Sequence, residues 1–157
     1  MGYRDFTELP VWQAARQYKL AIYRLCATQA FSQDADLRGQ LRRAVAKPPA
    51  HIAEAYGRFN PADSARLLTH AKAELIESQN HLFDACDQHV ITEAVRLEHH
   101  AMAQDVIGQL DGWRDYLQSP EARRKVEEIR ERRRRNRNSN PNPNPKPNRN
   151  PESSESE

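Results

Sequence analysis

The chain has 157 residues, a formal net charge of +2 and 38% hydrophobic residues. Its charge is unevenly distributed: residues 1–120 hold 13 Lys and Arg against 15 Asp and Glu, whereas residues 121–157 hold 11 against 7. Positive charge therefore concentrates near the C-terminus, which excludes the domain-wide basic field that many nucleic-acid binders show.

The first predicted helix covers residues 8–30, with Thr7 as its cap and Pro10 tolerated in its first turn. Apolar residues repeat along it at helical spacing, and Cys26 falls within that stripe. The segment 31–34 reads as a polar loop. The sequence thus predicts one long amphipathic helix followed by a short connection.

The second predicted helix covers residues 35–56 and ends before Gly57. Pro48 and Pro49 lie in its middle. An interior proline removes a backbone donor and clashes with the preceding turn, at a cost of about 3 kcal/mol. We therefore expect this helix to be kinked at the two prolines.

Two further long helices follow. Asn60 and Pro61 are a typical cap and first position for the third, and Thr92 with Glu93 begins the fourth. Their apolar stripes suit near-parallel packing, and no strand signal of comparable length appears. The predicted fold class is all-α, an antiparallel up-and-down four-helix bundle over residues 1–118.

The remaining residues form two predicted segments. Residues 119–135 are a charged helical extension, because Ser119-Pro120-Glu121 is a helix start and few apolar residues follow it. Residues 136–157 are rich in Asn and Pro and lack apolar side chains other than proline, which predicts a disordered tail.

The cysteines and the hydropathy pattern bear on location. Cys26 and Cys86 belong to no CxxC or Cys-His cluster, which predicts two buried free thiols in a reducing compartment. No stretch approaches about 18 apolar residues, and the N-terminus has no signal core. We expect a cytoplasmic protein that does not contact a membrane.

No catalytic motif emerges from the sequence. Glu77 with His81 and His70 with Glu74 have i,i+4 spacing, but both pairs lie beside the apolar stripe and read as a solvated face. No zinc-ligand spacing, phosphate-cradling glycine loop or nucleophile motif is present. The sequence therefore predicts a non-enzymatic protein with no catalytic residues, no metal site and no cofactor.

Basic residues are the remaining candidates, in two groups. The core candidates are Arg42, Arg43, Lys47 and Arg58. The second group is the run Arg132, Arg133, Arg134 and Arg135. Either group can contact nucleic-acid phosphates. The alternatives are an ordinary solvated face for the core group, with Glu54–Arg58 as an ion pair, and a solubilising tail for the run. Spacing alone favours the solvated face for the core group and leaves the run undecided.

Several segments together resemble a known family. The first helix resembles its opening pattern at Phe6, Leu9, Val11, Trp12, Ala15, Ile22 and Tyr23. The second resembles its signature at Gln40, Arg42, Arg43, Ala44, Pro49, Ala50, Ile52, Ala53, Glu54, Gly57 and Arg58. The third matches at Ala71, Leu75, Glu77 and Leu82. The family is the bacterial four-helix bundle family of proteins encoded by intervening sequences of large-subunit rRNA genes, to which the accessory variability proteins of diversity-generating retroelements are related.

The resemblance implies a homo-oligomer, typically a pentamer. By the same resemblance, RNA or a reverse transcriptase is a partner, bound through a basic ring surface. The chain departs from the family pattern at His51, Ala55 and Glu74, and Glu74 places an anion where the family has a small residue. Two hypotheses follow: an oligomeric adaptor that binds structured RNA, or a protein-interaction scaffold with no nucleic-acid role.

Overall fold

The computed structural model describes residues 3–139, and every regular element in that range is helical. The five α-helices are α1 (Pro10–Cys26), α2 (Ala35–Gly57), α3 (Pro61–Asp87), α4 (Glu93–Gln118) and α5 (Pro120–Ser139). Short 3-10 helices occupy Phe6–Glu8 and Gln29–Ser32. Within residues 3–139, no helix is both long and apolar enough to cross a membrane.

Side-chain caps set most of the helix starts. The carboxylate of Asp34 accepts a hydrogen bond from the Leu37 amide at 2.8 Å, and the Asn60 side chain accepts one from Ala62 at 3.1 Å. Such bonds satisfy amides that have no partner within the helix. At the other end of α3, His89 has a φ of 58°, and the Val90 amide donates to the Ala85 carbonyl, closing a Schellman turn.

The first helix is shorter than predicted. It begins at Pro10 rather than at residue 8, and it ends at Cys26 rather than at residue 30. Thr28 is extended, and a separate 3-10 helix follows it. This turn carries Phe31 into the core, where its side chain is fully buried. The prediction of a polar loop at residues 31–34 was therefore wrong for Phe31, because burial of the ring outweighs its polar neighbours.

The two prolines do not break α2. The helix runs without interruption through Pro48 and Pro49, and both are buried. Neither proline has an amide hydrogen to donate to the preceding turn. Their rings add apolar surface to the core instead, and the kink expected there stays a prediction.

Four helices enclose one hydrophobic core. α1 packs on α2 and α4, and α3 packs on the same two helices. Side chains with no exposed surface line this core, among them Ile22, Leu41, Ile52, Leu75, Leu82 and Val106. α5 packs on α4 and contributes Ala122 as its buried side chain. α5 extends to Ser139, past the predicted boundary at 135, and residues 140–157 of the predicted tail lie outside the described residues.

One polar contact crosses the core. The hydroxyl groups of Tyr18 and Ser78 lie 2.9 Å apart, and the Ser78 hydroxyl also donates to the Leu75 carbonyl at 2.6 Å. Both side chains are buried. Burial raises the pKa of Tyr18 to about 12.

The raised pKa of Tyr18 makes stability depend on alkaline pH. The folded state favours the neutral phenol, whereas the unfolded chain ionises at the ordinary pKa of 10.0. The stabilisation that the neutral phenol of Tyr18 contributes is therefore complete below pH 10 and is lost as pH rises through 12. This loss amounts to about 2 kcal/mol at pH 12. Urea unfolding at stepped pH measures this loss. The Tyr18→Phe variant should lose less stability over the same range, and identical losses in both proteins would contradict the assignment.

The cysteines differ in environment. Cys26 is buried, and burial raises the pKa of its thiol to about 11. Cys86 is only half-buried, so the prediction that both thiols are buried was wrong for this residue. Cys86 lies in the last turn of α3, where its thiol contacts the Glu93 carboxylate at 3.4 Å across the α3–α4 connection.

Candidate nucleic-acid interface

Arg42 and Arg43 remain available on the surface of α2. Both are exposed, and the Arg42 guanidinium lies 4.3 Å from the centre of the Tyr23 ring. The Arg43 guanidinium lies close to Gly39, where an added Cβ would be 3.2 Å from it. The ion pairs formed among residues 3–139 involve other cations. These two arginines are thus positioned by packing while their charge stays accessible.

Lys47 is engaged by α3. Its ammonium lies 2.8 Å from the Glu74 carboxylate, and that hydrogen bond is the main reason that the pKa of Lys47 is raised. The Glu74 side chain is only 17% exposed. The anion by which this chain departs from the family pattern therefore pairs with one of the predicted phosphate contacts. Lys47 contributes less net positive charge to the surface than the sequence suggested.

Arg58 is also paired. Its guanidinium donates to the Glu54 carboxylate, as the i,i+4 spacing predicted, and this bond holds the pKa of Glu54 below its usual value. Both side chains are about half exposed, so the pair adds little to stability. Of the four core candidates, the structure leaves Arg42 and Arg43 without an ion-pair partner among the described residues.

A further basic position of the bundle is neutralised by a contact between helices. The Lys72 ammonium on α3 lies 2.7 Å from the Asp111 carboxylate on α4, and the Arg114 guanidinium lies 3.2 Å from the same group. All three side chains are about a third exposed. Sequence spacing missed the Lys72–Asp111 pair because these two residues are 39 positions apart in the chain. Residues 1–120 hold 13 Lys and Arg against 15 Asp and Glu, so this part of the chain carries no net positive charge.

α5 has the opposite character. It holds nine Lys and Arg against four Asp and Glu, a net charge of +5. The predicted run Arg132–Arg135 is exposed. Successive residues of a helix point about 100° apart, so the four guanidinium groups spread around α5 and do not share one face. Arg133 lies 4.5 Å from the centre of the Phe59 ring, and Arg135 pairs with Glu131 at 3.6 Å.

A second set of arginines on α5 does share a face. These residues are separated by seven, four and three positions, and we call them the arginine stripe: Arg123, Arg130, Arg134 and Arg137. The stripe is exposed and lies beside the apolar positions Ala122 and Val126, which are buried and half-buried. The sequence contains this signal as a heptad spacing from Arg123 to Arg130 and Arg137.

Of the two histidine–carboxylate pairs predicted to lie on a solvated face, the structure buries His81 and leaves His70 exposed. His81 is buried, with its ring nitrogens 3.6 Å from Glu77 and 3.4 Å from Asp84. That prediction was wrong because the ring folds back onto its own helix. His70 is exposed and packs edge-on against His51, with ring centres 5.8 Å apart. In the part of the chain that the structure describes, no three His, Cys, Asp or Glu residues converge as metal ligands.

An apolar face is exposed on α3 and α4. It consists of Ile76, Phe83 and Leu97, each between 45% and 51% exposed, and we call it the α3/α4 apolar face. Ile76 and Phe83 are seven positions apart, so they project from the same side of α3. The Arg96 guanidinium lies 4.1 Å from the centre of the Phe83 ring, and the His100 ring packs edge-on against it. Single exposed apolar residues are ordinary, but a group on one face suggests a contact surface.

Comparison with known proteins gives the chain a family. A search of curated proteins found no match. The family model described as 23S rRNA-intervening sequence protein matches residues 7–112, which include α1, α2, α3 and most of α4. This confirms the family resemblance of the first three helices, whereas the relation to retroelement proteins stays a prediction. The match extends over more than half of the chain, which therefore belongs to the 23S rRNA-intervening sequence protein family.

Proposed function

We propose that this protein is a non-enzymatic, self-associating adaptor of the cytoplasm that binds structured RNA, chiefly through α5. The observation that carries the proposal is the contrast in charge. α5 presents a net charge of +5 on an exposed helix, while Lys47, Arg58 and Lys72 of the bundle are paired with carboxylates. Uncompensated positive charge on one segment is the feature that phosphates select.

The binding we propose is electrostatic and reads no base sequence. Arginine donates to phosphate oxygens through two parallel N–H groups, which favours it at phosphate contacts. No described element forms a module that reads bases, such as a sheet with exposed aromatic rings. Structured RNA is therefore recognised by its backbone, with α5 as the main contact and Arg42 and Arg43 as secondary ones.

The family description is consistent with this proposal, because it connects the family with intervening sequences of 23S rRNA.

Helix packing supports a bundle as the scaffold. α1 through α4 are joined by short connections, and each packs on two others around one core. Short connections favour antiparallel neighbours, so we propose the up-and-down four-helix arrangement for residues 10–118.

The test of RNA binding is a salt titration. Fluorescence anisotropy of a labelled hairpin RNA at about 50 and about 200 mM salt should show affinity falling steeply with salt, because each phosphate contact releases a counterion. The full-length protein should bind under both conditions with different affinity. Binding that does not change with salt, or no binding at either concentration, would contradict the proposal and favour the protein scaffold.

Self-association rests on the α3/α4 apolar face. A second copy that covers this face would remove Ile76 and Leu97 from water, and a symmetric ring would multiply a modest RNA affinity per subunit. We propose a pentamer for this ring, as the family resemblance implies. The alternative is that a different protein, rather than a second copy of this chain, covers the same exposed face.

Charge introduced on the α3/α4 apolar face should dissociate the oligomer. We expect the double variant Ile76→Glu and Leu97→Glu to sediment as a monomer in analytical ultracentrifugation, because each carboxylate would be buried without a partner in the interface. Helix content by circular dichroism should stay unchanged, since both side chains are half exposed. The matched control is Leu20→Glu, on α1 and 36% exposed. A monomeric wild-type protein, or an oligomer that survives the double variant, would contradict self-association through this face.

A further inference from the structure

A groove of about 610 Å³ lies where α3, α4 and α5 meet. Its polar lining includes Asn60, Arg66, Thr69, Arg123, Glu127 and Arg130. Arg66 comes from the second turn of α3, whereas Arg123 and Arg130 belong to the arginine stripe of α5. The groove therefore joins the bundle to the basic helix, and neither part forms it alone.

The charge of the groove is strongly positive. Three guanidinium groups line it against the single carboxylate of Glu127. Among residues 3–139, the ion pairs of the bundle and of α5 involve other arginines, so these three keep their charge for a ligand. The first turn of α3 also lines the groove, and the partial positive charge of a helix start adds to their field.

Two contacts of α5 lie on either side of Arg130. Ala122 is buried at the start of α5. Further along α5, the Arg133 guanidinium lies over the ring of Phe59. Phe59 directly precedes the cap of α3, Asn60. Because α5 contacts the rest of the chain on either side of Arg130, the positions open to the three arginines are restricted before a ligand binds. Such preorganisation reduces the entropy lost on binding.

We infer that this groove is a phosphate site, which holds a phosphate group of the bound RNA between Arg66, Arg123 and Arg130. The inference rests on the proposed function and adds to it a defined site that α3 and α5 share. A net charge of +2 on the lining suits either a backbone phosphodiester or a terminal phosphate monoester, and the monoester carries close to two negative charges at neutral pH.

The test uses the full-length protein and one RNA hairpin, prepared with a 5′-phosphate and with a 5′-hydroxyl. Arg66→Gln should weaken binding about 10-fold, because Arg66 is the contact that α3 contributes. The matched control is Arg16→Gln, an exposed position on α1 with the same loss of charge, which should weaken binding less than about 2-fold. Arg130→Gln should weaken binding like Arg66→Gln, and the double variant should lose less than the product of the two effects, since both arginines hold one phosphate.

The outcomes separate the groove from the general proposal. If Arg66→Gln weakens the 5′-phosphate hairpin more than the 5′-hydroxyl hairpin, the groove holds the terminal phosphate. Equal weakening of both hairpins identifies a backbone phosphate. If Arg66→Gln and Arg16→Gln behave alike while the wild-type protein binds, the groove inference is overturned and RNA binding through α5 stands. Absence of wild-type binding overturns both.

Discussion

Replacing Arg132, Arg133, Arg134 and Arg135 together with glutamine is expected to weaken RNA binding about 100-fold near 100 mM salt, because the change removes four of the nine cations of α5. The slope of log affinity against log salt should become shallower by about 0.9 for each duplex phosphate contact that is lost. Glutamine keeps helix propensity and side-chain length, so α5 should remain folded. Anisotropy titrations at several salt concentrations measure both quantities.

The matched control removes the same charge from elsewhere. It replaces four cations of the N-terminal segment and α1 with glutamine, namely Arg4, Arg16, Lys19 and Arg24. Both variants change the net charge from +2 to −2. If the control weakens binding as much as the α5 variant, the effect comes from net charge, and the assignment of binding to α5 is wrong.

Replacing Leu75 with alanine is expected to lower the free energy of unfolding by about 3 kcal/mol, since the substitution removes a buried side chain and leaves a cavity. Leu75 has no exposed surface and lies at the centre of α3, and its carbonyl accepts the hydrogen bond from Ser78. Urea unfolding followed by circular dichroism measures the change. RNA binding by the folded variant should be unaffected, because Leu75 neither lines the groove nor belongs to α5.

Leu20 provides the comparison for Leu75. It is 36% exposed on α1, so Leu20→Ala makes the same chemical change with little cavity and should cost less than about 1 kcal/mol. Equal losses for the two variants would show that Leu75 does not lie in a close-packed core. That result would contradict the helix arrangement described for α1 to α4.

Local chemistry explains why the sequence predicted the helices well. Asn60 and Thr92 cap the helices that follow them, and Pro61 occupies the first position of α3, as expected. A cap depends on residues only two or three positions away, so the pattern is readable without knowledge of the fold. The Glu54–Arg58 pair was predictable for the same reason, because its partners are one turn apart.

The features that sequence reasoning missed depend on distant contacts. Lys47 and Glu74 are 27 positions apart, and their ion pair exists because α2 packs on α3. Burial of Phe31 and the half-exposure of Cys86 likewise follow from where the connections cross the ends of the bundle. The groove where α3, α4 and α5 meet could not be predicted from nearby residues in the sequence, since Arg66 and Arg130 are brought together only when α5 packs against the bundle.

The contact between Tyr18 and Ser78 has a consequence for the uniqueness of the fold. Leucine and alanine side chains pack almost equally well after one helix slides along its neighbours. An entirely apolar core therefore specifies only weakly the position of each helix along its own axis. A slide of one turn, about 5.4 Å, would separate the two hydroxyl groups and leave the Tyr18 hydroxyl buried without its partner, while Ser78 keeps its bond to the Leu75 carbonyl. Competing registers that preserve the apolar contacts are thereby raised in free energy. A single hydrogen bond, modest in its own contribution to stability, thus selects one alignment of α1 against α3.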